Sequence, residues 1–123
     1  MIIGVGIDLI EINRIEKACH REAFLFRVYS DRERQLIAGC ARRAAGNFAA
    51  KEAFAKVLGT GFRGFLPNEV EVLRDELGKP YYHLSGEAAR LAGMAGISRL
   101  HLSITNTREL AGAYAVGEND KES

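Results

Sequence analysis

Asp8 belongs to a run in which branched apolar residues at positions 3, 5, 7 and 9 alternate with Gly4, Gly6 and Asp8 itself. A period of two is that of a β-strand, and here it leaves one face without side chains as far as Asp8. Either another group approaches that bare backbone closely, or the glycines relieve crowding against a neighbouring element. A second run, Asn47-Phe48-Ala49-Ala50-Lys51-Glu52-Ala53-Phe54-Ala55-Lys56, is closed by Gly59-Thr60-Gly61. Phe48, Glu52 and Lys56 follow at i, i+4 and i+8 and share one stripe of a helix. Glutamate four residues before lysine is also an ordinary surface ion pair, worth about 0.2–0.5 kcal/mol. The alanines at 45, 49, 53 and 55 describe instead a closely packed helix. A carboxylate kept there needs a cation or hydrogen-bond donors to offset its desolvation. Asp8 is either the cap of the helix that follows it or the partner of Glu52 in holding a hard divalent cation. Mg²⁺ suits two such carboxylates, because it takes one or two of them plus phosphate oxygens and water.

The 123 residues, 47% hydrophobic, are enough for one core and not for two. A net charge of +1 gives no global basic field for nucleic acid, so a charge-guided partner must meet a local patch. Cys19 and Cys40 have no metal-ligand spacing and read as free thiols of a reducing compartment. The apolar start is too short for a signal-peptide core and lacks a positive leading region. No window approaches the ~20 apolar residues of a membrane helix. The expectation is a cytoplasmic domain without a membrane segment.

Apolar spacing predicts a helix over residues 11–26. Ser30-Asp31-Arg32-Glu33 has the form of a capping box and starts a second helix that reaches about residue 38. A long helix covers 41–58 and stops at Gly59. Alternation over 69–74 and 81–84 flanks Leu77-Gly78-Lys79-Pro80 as a β-hairpin. Ser85 caps a short helix to about residue 92, and strands follow over 100–104 and 110–116. Residues 1–117 form one α+β domain, a mainly antiparallel sheet packed with the long central helix, and the polar tail 118–123 is expected to fray.

Other residues carry weaker signals. The glycines from Gly59 follow a helix instead of preceding one, so they make a C-terminal turn and not a Walker-type phosphate cradle. Lys79 at the hairpin tip can meet a phosphate. Ser103, Thr105, Asn106 and Thr107 suit a nucleotide or simply satisfy a turn. His20, His83 and His101 fit no zinc pattern, and the latter two read as half-exposed cross-strand partners. Arg14, Lys17, Arg21 and Arg27 crowd one stretch, with Phe24 and Phe26 expected to be exposed beside them. Such a stretch is either a solvated face or a basic, aromatic-bearing surface for an acidic helical partner.

Read together, these segments resemble the holo-acyl-carrier-protein synthases, the small phosphopantetheinyl transferases of bacterial fatty-acid synthesis. The resemblance is carried by Gly6-Ile7-Asp8 with Arg14 and Ile15, and by Phe48-Ala49-Ala50-Lys51-Glu52-Ala53 with Lys56 and Gly59-Thr60-Gly61. Glu76-Leu77-Gly78-Lys79-Pro80 and His101-Leu102-Ser103-Ile104-Thr105 add to it. It implies transfer of 4′-phosphopantetheine from coenzyme A to a serine of apo acyl carrier protein, with Asp8 and Glu52 as Mg²⁺ ligands and Lys56 beside the pyrophosphate. It implies further that Gly59, Gly78, Lys79, Pro80, Ser103, Asn106 and Thr107 hold the nucleotide, across a subunit boundary in a homotrimer. A helix bearing Arg14, Lys17, Arg21, Phe24 and Arg27 would dock the acidic carrier protein.

Two departures stand out. Asn47 occupies a position where the family pattern has arginine, which leaves Arg42, Arg43 or Arg63 to compensate or coenzyme A to bind more weakly. Asn106 stands where histidine or aspartate is usual. A transferase for other carrier proteins and a coenzyme A-binding protein without catalysis are the competing readings.

Overall fold

The computed structural model describes residues 1–121. In chain order these form β1 (Ile2–Glu11), α1 (Ile12–Cys19), α2 (Glu22–Val28), α3 (Asp31–Ile37), α4 (Ala41–Leu58), a single 3-10 turn (Pro67–Glu69), β2 (Val70–Arg74), β3 (Pro80–Leu84), α5 (Gly86–Met94), β4 (Arg99–Asn106) and β5 (Leu110–Glu118). Strands β1, β5 and β4 make one antiparallel sheet in that order, and β2 pairs with β3 as an antiparallel hairpin. This is the α+β architecture expected, with the strands divided between two sheets.

The long helix α4 lies between them. Ala45, Ala49 and Ala53 are buried in one cluster with Ala111, Ala113 and Ala115 of β5. Phe54 and Ala55 face a second cluster with Phe65, Val70, Ala88 and Ala92. Small side chains on α4 let the sheet come close, and the glycines of β1 complete the approach. A Cβ on Gly4 would stand 2.5 Å from the Val57 carbonyl oxygen, and one on Gly6 1.9 Å from that of Ala53. The bare face of β1 therefore lies against α4. Its branched face points outward, leaving Val5, Ile7 and Leu9 53%, 63% and 66% exposed beside Tyr114.

Local chemistry sets the boundaries. Ser30 and Glu33 form the reciprocal capping box that starts α3. Gly59, at φ 78°, closes α4 by donating its N–H to the Ala55 and Lys56 carbonyls. The hairpin turn is tied by Asp75, whose carboxylate accepts from the backbone N–H of Leu77 and Lys79, both at 2.9 Å.

Four expectations need correction. The helix expected over 11–26 breaks at His20 and Arg21 into α1 and α2, and the break turns Phe24 into the core. Phe24 is buried there, stacked on Phe48 at 6.0 Å, and only Phe26 is exposed, under the Arg34 guanidinium. Ser85 makes no side-chain cap for α5; the Glu69 carboxylate accepts from the Glu87 N–H instead, at 3.2 Å. The tail is held at its start, with Asn119 donating to the Met1 carbonyl and Ser98 to Asp120; residues 122–123 lie outside the described residues.

Gly6→Ala should destabilise the fold by about 3 kcal/mol, because the added methyl meets backbone that cannot rotate away. Gly93→Ala, in α5 with open space around the new methyl, should instead add about 0.5–1 kcal/mol. Urea unfolding of the two variants checks both signs.

Candidate active site

Asp8 and Glu52 come together because Asp8 follows Gly6 on the face of β1 that α4 covers. Lys56, one turn beyond Glu52, donates to the Ile7 carbonyl at 2.7 Å and reaches Asp8 Oδ1 at 3.5 Å. Burial raises the Asp8 carboxyl above its ordinary value against the pull of Lys56. Burial and then the Asp8 charge raise that of Glu52, while Lys56 and Arg14 oppose the shift. Among the described residues, no protein donor bonds the Glu52 carboxylate, and no group of three or more His, Cys, Asp or Glu side chains gathers around a point. Two hard oxygen donors with unspent negative charge fit a cation that draws its remaining ligands from substrate and water.

Beside this pair runs a groove of about 600 Å³. Arg14, Lys17 and Arg21 line it together with Ile10, Phe24 and Phe48. Phe48 belongs to the same α4 stripe as Glu52 and Lys56, so the groove leads to the carboxylates. Arg27, in the last turn of α2, is not among the lining residues.

The remaining expected residues lie elsewhere on the chain. Gly59 borders a separate cavity of about 760 Å³ with Thr60, Gly61, Arg63 and Leu91. Gly78, Lys79 and Pro80 belong to the turn and start of the second sheet's hairpin. Ser103 pairs with Tyr114, which pairs with Ile7, so it stands on the outer face of the sheet and not with Asp8. Asn106 donates to the Thr107 carbonyl, and the Thr107 hydroxyl accepts from the Leu110 N–H, which shapes the turn into β5.

A buried polar network behind α4 went unread in the sequence. Lys51, fully buried, donates to Glu33 at 2.7 Å and to the Val70 and Pro67 carbonyls at 2.6 and 3.0 Å. Asn47 donates to Glu33 and to the Val72 carbonyl, both at 3.0 Å, and accepts from Arg74 at 3.1 Å. Farther out, Arg32, Ser30 and His83 surround Glu71, and the Arg32 guanidinium leads in holding its carboxyl down to about 2. These bonds fix α3 and the hairpin to the side of α4 opposite the carboxylate pair. The available signal was a lysine and an asparagine inside an alanine-rich helix, one turn apart.

The 4′-phosphopantetheinyl transferase superfamily model matches residues 4–114. The chain belongs to this superfamily. It is 54% identical over 122 residues to the holo-[acyl-carrier-protein] synthase of Lachnoclostridium phytofermentans, covering 99% of this chain and 100% of that one. Its fold is similar to that of the Neisseria meningitidis synthase, with a TM-score of 0.88 and 32% identity over 96% of this chain and 99% of the other. The Bacillus anthracis synthase, in complex with CoA (3′,5′-ADP), is 36% identical, with a TM-score of 0.81, 98% of this chain and 99% of that chain covered. Asn47 is a buried bracket in this chain, with Arg43 and Arg74 beside it and Arg63 at the Gly59 cavity.

The raised Glu52 value has a sign that can be tested. An acid held above its ordinary 4.5 binds its proton more tightly in the folded chain, so its ionisation weakens the fold as pH rises through and above that value. In metal-free buffer Glu52→Gln should melt higher than the parent at pH 7, and the difference should close as pH falls below 4.5. A variant that melts lower at pH 7 contradicts the charge assignment.

Proposed function

We propose that this transferase is a holo-[acyl-carrier-protein] synthase, acting in the cytoplasm in fatty-acid synthesis. It moves 4′-phosphopantetheine from coenzyme A to a serine hydroxyl of apo acyl carrier protein and releases adenosine 3′,5′-bisphosphate. The observation that carries the reading is the convergence of Asp8, Glu52 and Lys56 at one end of a basic, aromatic-floored groove. No helix of the described residues is long and apolar enough to cross a membrane.

The groove receives the acidic carrier protein: Arg14, Lys17 and Arg21 meet its charge, Arg27 extends the basic surface, and Phe24 and Phe48 form an apolar floor. Arg14 also acts electrostatically on both carboxylates, which links docking to the reacting end. The carrier serine oxygen bonds the β-phosphorus as the bond from that phosphorus to the bridging oxygen breaks. Glu52 accepts the serine proton, and the Lys56 ammonium stabilises the charge that collects on the departing bisphosphate. Asp8 and Glu52 would hold Mg²⁺, which when bound supplies charge neutralisation at the pyrophosphate.

The functional unit in this proposal is a homotrimer. The outward stripe of Val5, Ile7, Leu9 and Tyr114 is an apolar face of the kind that subunit contacts cover. Ser103 sits on that face, so the segment through Asn106 and Thr107, with the Gly78-Lys79-Pro80 turn and Gly59, would hold coenzyme A across the boundary between subunits.

Incubation with apo acyl carrier protein, coenzyme A and Mg²⁺, followed by mass spectrometry, tests the activity. The carrier should gain one phosphopantetheine, the gain should vanish with EDTA, and Glu52→Gln should lower the rate by about 100-fold or more. No gain on any carrier despite bound coenzyme A would favour a binding protein without catalysis. Ile7→Asp should reduce the assembly to monomers in sedimentation and abolish transfer; a trimer unaffected by that charge would contradict the assigned interface.

A further inference from the structure

The chain has two cysteines, and the function proposed above uses neither. Cys19 ends α1 and Cys40 immediately precedes α4; both are free thiols and half-buried. Although they belong to different elements, both open onto one cavity of about 270 Å³, lined also by Leu25, Arg34, Ile37 and Ala44. Glu16 and His20 reach the same cavity, but among the described residues no three such side chains converge as metal ligands would.

The two thiols differ in character. Cys40 is the N-cap of the long helix α4. The Arg43 backbone N–H leads in holding its thiol below the ordinary value, and the Arg42 N–H and both guanidiniums add to this against burial. Burial holds the Cys19 thiol above its ordinary value, while the Tyr29 hydroxyl opposes the shift. An accessible thiolate reacts with peroxides, and a second thiol beside it converts the product to a disulfide. The turn before Cys40 favours such a change. Ala38, at φ 44°, holds left-handed backbone that is costly for a residue with a Cβ, and Gly39 follows at φ 78°. Movement of that turn gives up a costly conformation. Neither the helix end nor either thiol alone marks this place; the shared cavity does.

We infer that Cys40 and Cys19 form an oxidisable pair whose reactant is a hydroperoxide and whose product is a disulfide across the cavity. The Cys40 sulfur bonds one peroxide oxygen as the O–O bond breaks, giving a sulfenic acid, and the other oxygen leaves, protonated by solvent, as water or an alcohol. The Cys19 sulfur then bonds the Cys40 sulfur, the S–O bond breaks, and the hydroxyl leaves with the Cys19 proton as water. The two sulfurs give up two electrons, and the peroxide takes them. Ala18, next to Cys19, lines the basic groove, as do Lys17 and Arg21 on either side. A bond that draws Cys19 towards α4 therefore shifts the groove wall and weakens carrier docking. That consequence rests on the carrier-protein reading; the chemistry of the pair does not.

Treatment of the intact reduced protein with hydrogen peroxide, alongside Cys19→Ser and Cys40→Ser, provides the test, with mass spectrometry before and after dithiothreitol. The parent should lose the mass of two hydrogens, Cys19 and Cys40 should appear in one cross-linked peptide, and dithiothreitol should reverse the change. Cys19→Ser should stop at a Cys40 sulfenic acid that dimedone traps, and Cys40→Ser should react about tenfold or more slowly. Calorimetry should show the oxidised parent binding apo acyl carrier protein about fivefold or more weakly than the reduced form. A Cys40 sulfinic acid with Cys19 still reduced, or a disulfide that joins two chains, would overturn the pair. An internal disulfide with carrier affinity unchanged would overturn its control of docking. A reduced protein that binds no carrier would remove the docking reading and its control together, while the bond, read by mass alone, stands or falls by itself.

Discussion

Gly6 has no side chain, and a Cβ there would stand 1.9 Å from the carbonyl oxygen of Ala53. The strand can therefore rest on the backbone of α4, against the Ala53 carbonyl and beside the Cβ of Lys56. Two residues later the same strand face carries Asp8, and one turn along the helix from Phe48 comes Glu52. The carboxylate pair is thus a consequence of the glycine–alanine contact. A larger residue at position 6 would push Asp8 away from Glu52 as well as cost stability. Packing and chemistry share one constraint here.

That contact also has a consequence for the other face of the sheet. With the glycine side turned inward, Val5, Ile7 and Leu9 point away from the core. A sheet packed by its bare face has its bulky side chains left for something else, and a like subunit is the simplest cover. Under the proposed function β1 has three roles: it seats the central helix, supplies a carboxylate for the cation, and offers an association surface. On the opposite side of α4, the Glu33–Lys51 pair and Asn47 lock α3 and the hairpin in place. Truncating one partner of such a buried pair strands a charge, which is why the network reads as bracing and not as a second reactive centre.

Much of this was legible from residue pattern. The long helix from 41 to 58, its stop at Gly59, the capping box at Ser30 and the hairpin around Gly78 each depend on local rules, and each formed as the local rule dictates. Asp8, Glu52 and Lys56 could be singled out because charged residues in small-residue settings are costly without a purpose. The failures were tertiary. Phe24 looks exposed in a basic helix, but the break at His20 rotates it onto Phe48. Ser85 has the right residue type for a cap, yet Glu69, distant in sequence, does the capping. Arg74 carries no local signal at all, because its role comes from Asn47 on another element.

The central claim is that Asp8 and Glu52 jointly present a cation to the pyrophosphate of coenzyme A. Substituting Mn²⁺ and recording the ³¹P spectrum of protein-bound coenzyme A tests it most directly, since the ion's unpaired electrons broaden only nearby phosphorus signals. The account predicts strong broadening of the pyrophosphate signals with the parent protein and its loss in Asp8→Asn/Glu52→Gln, at concentrations where coenzyme A remains bound. Equal broadening in that double variant would contradict it.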